Sequence, residues 1–275
     1  MSSMNPKLKN ALVQARRGSI VFLTGAGVSA ESGIPTFRGQ DGYWTVGSSN
    51  YRPEDLATRR AFAEVPDDVW GWYLFRRTVC NRAQPSRGHL LLVKLETELK
   101  QRFLLVTQNV DGLHLRSGNS RERTHEVHGD INFMRCWKEC STDLYPIPEE
   151  VGAFARGDKL ESRHRALLAC PRCSGLARPH VLWFDECYDE ARFRFESSLT
   201  AALSCRVLVS IGSSGSTNLP TQMVRGAVAR GATLIDINLE RGPYASLAQS
   251  SGGFWLKVSA GEGLAQVAEA LSIAV

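Results

Sequence analysis

The sequence predicts an α/β fold: a Rossmann-like, doubly wound parallel sheet with an inserted small zinc module and a helical cofactor-loop region. Three observations support this fold class. Short apolar, β-rich runs alternate with helical stretches, two long segments interrupt that alternation, and four of the seven cysteines stand in two close pairs. Strands that alternate with helices imply a parallel sheet covered on both faces.

Five runs are predicted to be strands. The first, 19–24, leads into Gly25-Ala26-Gly27, which indicates a buried strand that enters a glycine turn. The other four predicted strands are 103–107, 206–211, 233–237 and 254–258.

Four helices are predicted around these strands. The helix over 86–100 follows Pro85, and Ser86 is its expected N-cap. The other predicted helices are 189–203, 220–229, which Gly231 closes, and 262–273.

A length of 275 residues suits one main core with an inserted module. The segment 40–77 is rich in aromatic and charged residues and has no clear strand, so we expect a helical cofactor loop there. The segment 130–182 holds the paired cysteines and gains helical periodicity only at 163–169, so we expect the metal module there. The remaining parts, 1–39, 78–129 and 183–275, form the predicted Rossmann-like domain.

Composition narrows the class of protein. Hydrophobic residues make up 43% of the chain, and no low-complexity tract occurs, as is typical of a globular protein. The polar start, 1–10, has no apolar signal core, and no apolar run approaches the roughly 20 residues of a membrane helix. The net charge of +5 comes from scattered basic residues. We therefore expect a cytoplasmic protein without membrane or direct nucleic-acid binding, and a monomer is compatible with these features.

The cysteine spacing predicts a metal site. Cys136 and Cys140 form one pair, and Cys170 and Cys173 form the second. Four thiolates complete a tetrahedral zinc site and leave no position open for water, so the zinc is expected to be structural. A zinc ribbon that binds nucleic acid is the alternative, although it would leave the motifs described next unexplained.

The glycine turn continues as Gly25-Ala26-Gly27-Val28-Ser29-Ala30, which has the G-x-G-x-x-A form of a dinucleotide-binding turn. Glycine lets the backbone approach a pyrophosphate at a helix N-terminus. The acidic residue expected about 20 residues later is not obvious, which disfavours an ordinary Rossmann dehydrogenase.

The longer string from Gly25 to Gly39, GAGVSAESGIPTFRG, closely resembles the signature of the sirtuin family. The resemblance continues, in the family's order, through TQNVDGLH at 107–114, Val127-His128-Gly129, the cysteine pairs, VLWF at 181–184 and INLE at 237–240. It implies an NAD-dependent protein-lysine deacylase with one structural zinc. NAD would lie between the two domains, and acyl-lysine proteins or peptides would enter from the opposite side.

The resemblance also implies roles for single residues. Arg38 would contact phosphate, Phe37 would shield the reacting ribose carbon, and Asn109 with Asp111 would hold the nicotinamide ribose and carboxamide. The implied cofactor-binding set is Gly25, Ala26, Gly27, Ser29, Ala30, Phe37, Arg38, Gln108, Asn109, Val110, Asp111, Gly212, Ser213, Ser214, Asn238, Leu239, Glu240 and Ala260.

His128 is the expected catalytic base, with Asn109 as the second catalytic residue. In sirtuin-like chemistry the acyl oxygen attacks the ribose carbon as nicotinamide leaves, and a base then activates a ribose hydroxyl. An imidazole with a pKa near about 6.5 suits that proton transfer. His125 and His114 are the nearest competitors, but only His128 occupies the family's His-Gly position.

Tyr73 and Arg76 resemble the Tyr-x-x-Arg pair of the sirtuin branch that accepts succinyl, malonyl or glutaryl lysine. A guanidinium and a phenol three residues apart on a helix can both reach one ligand carboxylate, which would be costly to bury unpaired. The alternative is that both residues line the rim of an amphipathic helix. We expect succinyl and malonyl groups, and acetyl as well, with Val181, Trp183 and Phe184 completing the substrate set.

Two departures from the family pattern stand out. Asp185 stands where the substrate strand usually has glycine, which puts peptide docking in doubt, and the segment from Gly212 to Pro220 is one residue longer than usual. Two rival functions follow: an NAD glycohydrolase or ADP-ribosyltransferase on the same fold, and a non-catalytic NAD-sensing module.

Overall fold

The computed structural model describes residues 6–14, 18–35 and 53–274. The described strands are β1 Ile20–Thr24, β2 Phe103–Thr107, β3 Thr124–Glu126, β4 Gly129–Cys136, β5 Tyr145–Pro146, β6 Ala177–Val181, β7 Val207–Ile211, β8 Thr233–Ile237 and β9 Phe254–Leu256. Six of them form one parallel sheet in the order β3-β2-β1-β7-β8-β9.

The described helices are α1 Pro6–Gln14, α2 Gly27–Ala30, α3 Pro53–Leu56, α4 Arg59–Glu64, α5 Pro66–Arg82, α6 Arg87–Leu99, α7 Leu113–Ser117, α8 Ser162–Leu167, α9 Glu190–Phe193, α10 Phe195–Ser204, α11 Asn218–Ala229, α12 Pro243–Ser250 and α13 Ala260–Ala270. Single 3₁₀ turns lie at Lys100–Arg102, Arg121–Arg123 and Glu149–Val151. No described helix combines the length and apolar character needed to cross a membrane.

Helices cover both faces of the main sheet. On one face, apolar side chains of α1, α6 and α13 pack on the strands. On the other face, α10, α11 and α12 do so. The predicted doubly wound parallel sheet is therefore confirmed, and its four central strands β2, β1, β7 and β8 are almost entirely buried, as a sheet covered on both faces requires.

The strand order reverses at β1, which pairs with β2 on one side and with β7 on the other. The three strands end side by side, since Thr24 lies opposite both Thr107 and Ile211. Loops that leave such neighbouring strand ends diverge and open a crevice, the usual ligand site of this architecture.

A second, smaller lobe is built on the antiparallel sheet β5-β4-β6. Helices α3 to α5 pack on it around Phe62, Trp70 and Trp183. Helix α5 runs through the predicted boundary between 40–77 and 78–129. The division of the chain at the predicted positions stays a prediction.

The structure refines several predicted elements. All five predicted strands are present, and their ends shift by at most two residues. Strand β3 was not predicted, because it is a three-residue edge strand without an apolar run. The helix predicted over 262–273 is α13, which begins earlier because Ser259 caps it and Glu262 completes a capping box.

The single helix predicted over 189–203 is wrong, because two helices occupy this stretch. Asp189 caps α9 by accepting a hydrogen bond from the backbone of Arg192 at 2.7 Å. Arg194 then adopts a left-handed conformation with φ of +53°, which ends α9 and starts α10. A non-glycine residue with this backbone conformation ends a helix, and no proline or glycine marks the position in the sequence.

Candidate active site

A cavity of about 1070 Å³ lies at the carboxyl ends of the central strands, between the main sheet and the second lobe. It is at the upper end of the size range of small-molecule pockets. The predicted residues that line it are Gly25, Ala26, Gly27, Ala30, Tyr73, Arg76, Gln108, Asn109, Val110, His128, Val181, Trp183, Phe184, Gly212, Ser213, Ser214, Asn238, Leu239, Glu240 and Ala260.

The other predicted residues lie elsewhere. Ser29 and Asp111 are buried behind the cavity wall. The four cysteines form a separate cluster in the second lobe. Phe37 and Arg38 lie outside the described residues.

The floor of the cavity is a contact between two backbones. A Cβ atom on Gly27 would lie 2.6 Å from the Cα of Gly212, and one on Gly25 would lie 2.7 Å from the Gly212 carbonyl oxygen. Gly212 itself has a φ of +59°. The loop after β1 and the loop after β7 touch so closely that no side chain fits between them, which explains the glycines at these positions.

Asn109 is held at the cavity surface by two segments. Its Nδ2 donates to the carbonyl oxygen of Gly25 at 3.1 Å and to Ser29 Oγ at 3.0 Å. Ser29 Oγ in turn donates to Asp111 Oδ2 at 2.7 Å. Burial raises the pKa of Asp111, while hydrogen bonds from the Leu113 backbone and from Ser29 oppose that rise. This arrangement leaves the Asn109 side-chain oxygen as an acceptor for a ligand.

Gln108 connects the loops at the ends of three strands. Its Nε2 donates to Ser213 Oγ at 2.9 Å, and its Oε1 accepts from Thr217 Oγ1 at 2.7 Å. Its backbone N–H donates to the carbonyl oxygen of Thr24 at 3.0 Å. Thr217 belongs to the segment after β7, so this contact ties that segment to Gln108.

His128 has a single tautomer that satisfies its neighbours. Its Nδ1 lies 2.9 Å from the Gln108 carbonyl oxygen, which can only accept, so Nδ1 carries the proton. Its Nε2 is then the acceptor, and the hydroxyl of Tyr188 lies 2.8 Å from it. Burial lowers the pKa of His128 to about 4, and the bond to Gln108 opposes the shift. The imidazole is therefore neutral and able to accept a proton at neutral pH.

The competing histidines do not line the cavity. His125 Nδ1 lies 2.9 Å from Ser198 Oγ, and His114 Nε2 lies 3.0 Å from Thr24 Oγ1. Burial lowers the pKa of both imidazoles. Neither ring is placed to exchange a proton with a ligand in the cavity.

The opposite side of the cavity is aromatic. Trp183 Nε1 donates to the Tyr73 hydroxyl at 2.9 Å, so the phenol oxygen is an acceptor there and its own proton can be donated elsewhere. Burial raises the pKa of Tyr73 to about 12, which keeps the phenol protonated. Arg76 is only 4% exposed, and its Cζ lies 4.6 Å from the centroid of the Trp72 ring. Tyr73 and Arg76 thus reach the same part of the cavity wall.

Charged side chains support this aromatic side from behind. The Cζ of Arg178 lies 3.3 Å from the centroid of the Trp183 ring, and Arg178 is ion-paired with Glu186. Glu186 Oε2 also accepts the backbone N–H of Trp183 at 3.0 Å. A buried guanidinium and carboxylate therefore fix the indole that bonds Tyr73.

Asp185, which stands where the sequence resemblance leads us to expect glycine, has a structural partner. Its Oδ1 accepts the backbone N–H of Arg59 at 2.7 Å, and its Oδ2 accepts that of Arg60 at 3.2 Å. These are amides of the first turn of α4, where a carboxylate is favourable. The carboxylate therefore points towards α4 and ties the substrate-side segment to the second lobe.

The four predicted metal ligands come together. All four Sγ atoms lie within 4.8 Å of one another. Cys136 Sγ is 3.7 Å from Cys173 Sγ, and Cys140 Sγ is 3.6 Å from Cys170 Sγ. Sulfurs bound to one tetrahedral zinc are about 3.8 Å apart, as follows from a bond length of about 2.3 Å. The cluster fits a structural zinc.

The lining residues that were not predicted include Trp72, Glu186 and Tyr188, which contact predicted site residues or their partners. Trp72 precedes Tyr73 on α5. It stands four residues before Arg76, and this helical spacing could have predicted that the two side chains are neighbours. Tyr188 gave no signal, because its partner His128 lies 60 positions away in the sequence. Glu186 bonds Arg178, which lies only eight positions away, but no motif marks this pair.

Comparison with known proteins gives one consistent result. Residues 25–218 match the model of the Sir2 family. A protein of Leptospira interrogans named NAD-dependent protein deacylase is 38% identical over 234 residues, which cover 82% of this chain and 84% of that protein. A protein of Thermus thermophilus with the same name is 37% identical over 260 residues and covers 94% of this chain and 91% of its own.

Solved structures agree with the sequence matches. A mutant Sir2 homologue in complex with ADP-ribose superposes with a TM-score of 0.79 at 31% identity, covering 99% of this chain and all (100%) of that one. A Sir2 homologue in complex with NAD superposes with a TM-score of 0.78 at 31% identity. The match covers 98% of this chain and 95% of that one.

Proposed function

Because this chain belongs to the Sir2 family, we propose that it is an NAD-dependent protein-lysine deacylase in which His128 is the base. It would release nicotinamide and O-acyl-ADP-ribose, and acyl-lysine proteins or peptides would be its substrates. The observation that carries the proposal is the position of His128 at the cavity, with Nε2 as its acceptor nitrogen. The predicted NAD-binding residues line one side of this cavity, and the predicted acyl-binding residues line the other.

The NAD side is supported by the strand-end loops. The glycine contact between Gly27 and Gly212 lets the backbone come close to a phosphate, and Ser213 and Ser214 present hydroxyls beside it. Asn238 donates to the Ser213 carbonyl oxygen at 3.0 Å and fixes that loop. These residues would bind NAD, which supplies the electrophilic ribose carbon that accepts the acyl oxygen.

His128 would act after that step. Its Nδ1–H is committed to Gln108, so Nε2 is the atom that would take the proton of a ribose hydroxyl. Asn109 would orient the nicotinamide side of NAD through its side-chain oxygen, with Ser29 and Asp111 holding its amide from behind.

The acyl pocket favours a group that ends in a carboxylate. Arg76 brings a positive charge to a wall formed by Trp72, Tyr73 and Trp183. A carboxylate there would gain charge-assisted bonds from the guanidinium and one from the Tyr73 phenol. We therefore propose succinyl-lysine and malonyl-lysine as substrates, with acetyl-lysine also accepted because the rest of the wall is apolar.

The test is mass-spectrometric turnover of matched acetyl, succinyl and unmodified lysine peptides, with and without NAD. We expect NAD-dependent deacylation that falls at least a thousandfold in His128→Ala. Arg76→Met should reduce succinyl turnover at least tenfold and leave acetyl turnover within about threefold. Arg77→Met is the matched control, because Arg77 is the next residue on α5 but bonds Ile147 rather than lining the cavity.

Other outcomes would reject the proposal. Equal NAD consumption with the unmodified peptide would identify a glycohydrolase or transferase. Binding of NAD without any turnover of the acyl peptides would identify a sensing module.

A further inference from the structure

The acceptor nitrogen of His128 has a hydroxyl partner within the chain. Tyr188 Oη lies 2.8 Å from His128 Nε2, and the two ring centroids are 5.9 Å apart. Because Nδ1 must donate to the Gln108 carbonyl, Nε2 has only its lone pair to offer, and the phenol is the donor. The phenol therefore uses the same lone pair that the proposed function assigns to a ribose hydroxyl.

The backbone on both sides of Tyr188 is anchored. Two residues before it, Glu186 is paired with Arg178 and bonded to the Trp183 backbone. One residue after it, Asp189 caps α9. These contacts fix the direction from which the phenol approaches His128.

The ring of Tyr188 is held as well. It stacks on Phe195, the first residue of α10, with ring centroids 5.9 Å apart and an angle of 28° between the planes. The backbone of Leu219, in the first turn of α11, lies beside the phenol oxygen and acts to lower its pKa. Burial is the main cause that raises the pKa of Tyr188 to about 12, so the hydroxyl keeps its proton. The phenol is a fixed, protonated donor.

We infer that Tyr188 is a positioning residue for the base: its hydroxyl holds Nε2 of His128 in the ligand-free protein, and a ribose hydroxyl of NAD takes its place on binding. The inference rests on the proposed function, since it takes Nε2 as the atom that meets the ribose. Gln108 sets the tautomer of His128, Tyr188 holds the ring plane before NAD arrives, and part of the binding free energy of NAD is used to break the phenol bond.

The test is NAD binding to Tyr188→Phe by calorimetry. This substitution keeps the stacking on Phe195 and removes only the hydroxyl. A water that replaces the phenol is not held by packing, so NAD should displace it more easily. We expect NAD to bind about three- to tenfold more tightly than to the wild type, the range of one hydrogen bond. Tyr145→Phe, which removes the phenol hydroxyl of a residue on β5 that does not line the cavity, should bind NAD as the wild type does.

A second measurement observes the imidazole nitrogens of His128 directly. Long-range ¹H–¹⁵N correlation spectra should show the Nδ1–H tautomer of His128 in both proteins. The Nε2 resonance of ligand-free Tyr188→Phe should move away from its wild-type position, towards that of an imine nitrogen without a fixed donor. Saturating NAD should bring the two proteins to the same Nε2 position, because the ribose hydroxyl is then the donor in both.

Unchanged or weaker NAD binding, or an unchanged Nε2 resonance, would overturn the role of Tyr188. Such a result leaves the proposed function standing if His128→Ala still abolishes deacylation. Acyl-peptide turnover that survives His128→Ala would instead reject the proposed function, whatever the binding data for Tyr188→Phe.

Discussion

The cavity has two walls that are built in different ways. The strand-end wall consists of the loops Gly25–Gly27, Gln108–Val110, Gly212–Ser214 and Asn238–Glu240, and backbone contacts and short hydrogen bonds hold it together. The aromatic wall consists of Trp72, Tyr73, Arg76, Val181, Trp183 and Phe184, and side chains from distant segments hold it together. The first wall follows from the ends of neighbouring strands, whereas the second depends on the packing of a whole lobe.

The difference predicts which wall fails when the second lobe is weakened. Cys136 and Cys170 belong to the same apolar cluster as Trp70, Tyr73 and Trp183. Trp70 Nε1 donates to the carbonyl oxygen of Ala177, on the strand beside the cysteine cluster. The aromatic wall is therefore packed directly on the zinc module, while the strand-end wall rests on the main sheet.

The largest effect is expected from loss of the metal. Cys170→Ser, or removal of zinc with a chelator, should unfold the cysteine module and abolish acyl-peptide turnover, because a structural zinc site folds with its metal. Binding of ADP-ribose by calorimetry should persist at the strand-end wall. Cys205→Ala, which removes a buried thiol beside the main sheet, should retain both properties. Parallel loss of ADP-ribose binding and turnover in Cys170→Ser would show that the walls are not independent.

The strand-end wall should break at its glycine contact. Gly27→Ala places a Cβ 2.6 Å from the Gly212 Cα, so the two loops must separate. We expect NAD affinity to fall at least a hundredfold, and the free energy of unfolding to fall by about 2–3 kcal/mol. Calorimetry and urea denaturation measure the two effects.

Gly231→Ala is the matched control for this variant. Gly231 has a φ of +84° but open space around its Cα, so alanine adds strain without a clash. This control should lose stability and keep NAD affinity. Equal NAD affinity in Gly27→Ala and the wild type would contradict the close contact between the loops.

The same contrast explains how much could be predicted from the sequence. The residues of the strand-end wall were named from the sequence because they stand in short motifs that resemble a known family, and the structure brings them together because parallel strand ends meet at one edge of the sheet. Their role in NAD binding stays a prediction. The four cysteines were predicted because their spacing is local in each pair.

The aromatic wall was predicted only in part. Tyr73 and Arg76 resembled a known pair, but the bond from Trp183 to Tyr73 joins residues 110 positions apart, and no local pattern encodes it. The contact of Asp185 with α4 spans more than 120 positions in the same way. The break at Arg194 was missed because a left-handed arginine follows from the packing of α9 and α10 rather than from its residue type.

Acid should act first on the support of the strand-end wall. His89 and His114 are buried side by side, with ring centroids 4.7 Å apart, and His114 bonds Thr24 at the end of β1. Burial lowers the pKa of His89 to about 4 and that of His114 well below its ordinary value. The folded state therefore binds fewer protons than the unfolded state below about pH 6.5.

The stability contributed by these neutral histidines is complete above that pH and is lost as the pH falls. From pH 7 to pH 5 we expect the lowered pKa of His89 alone to reduce the free energy of unfolding by about 2 kcal/mol, and His114 to act in the same direction. Urea denaturation across this range measures the slope. His89→Asn can still accept the Ser86 backbone N–H but binds no proton, so its slope should be shallower by the contribution of that one histidine. An identical slope in the variant would exclude His89 as a cause.

The smallest effect is expected where the aromatic wall meets α4. Asp185→Ala removes two acceptors from the first turn of α4, and loss of such a cap costs about 1 kcal/mol. Asp185→Asn keeps one acceptor oxygen and should lose about half as much. Because Phe62 on α4 packs on Trp183 with ring centroids 5.3 Å apart, a looser α4 should also raise the KM for acyl peptide about twofold and leave NAD affinity unchanged. Denaturation curves and peptide titrations measure both effects. A change in NAD affinity, with the peptide KM unaltered, would mean that Asp185 acts on the strand-end wall instead.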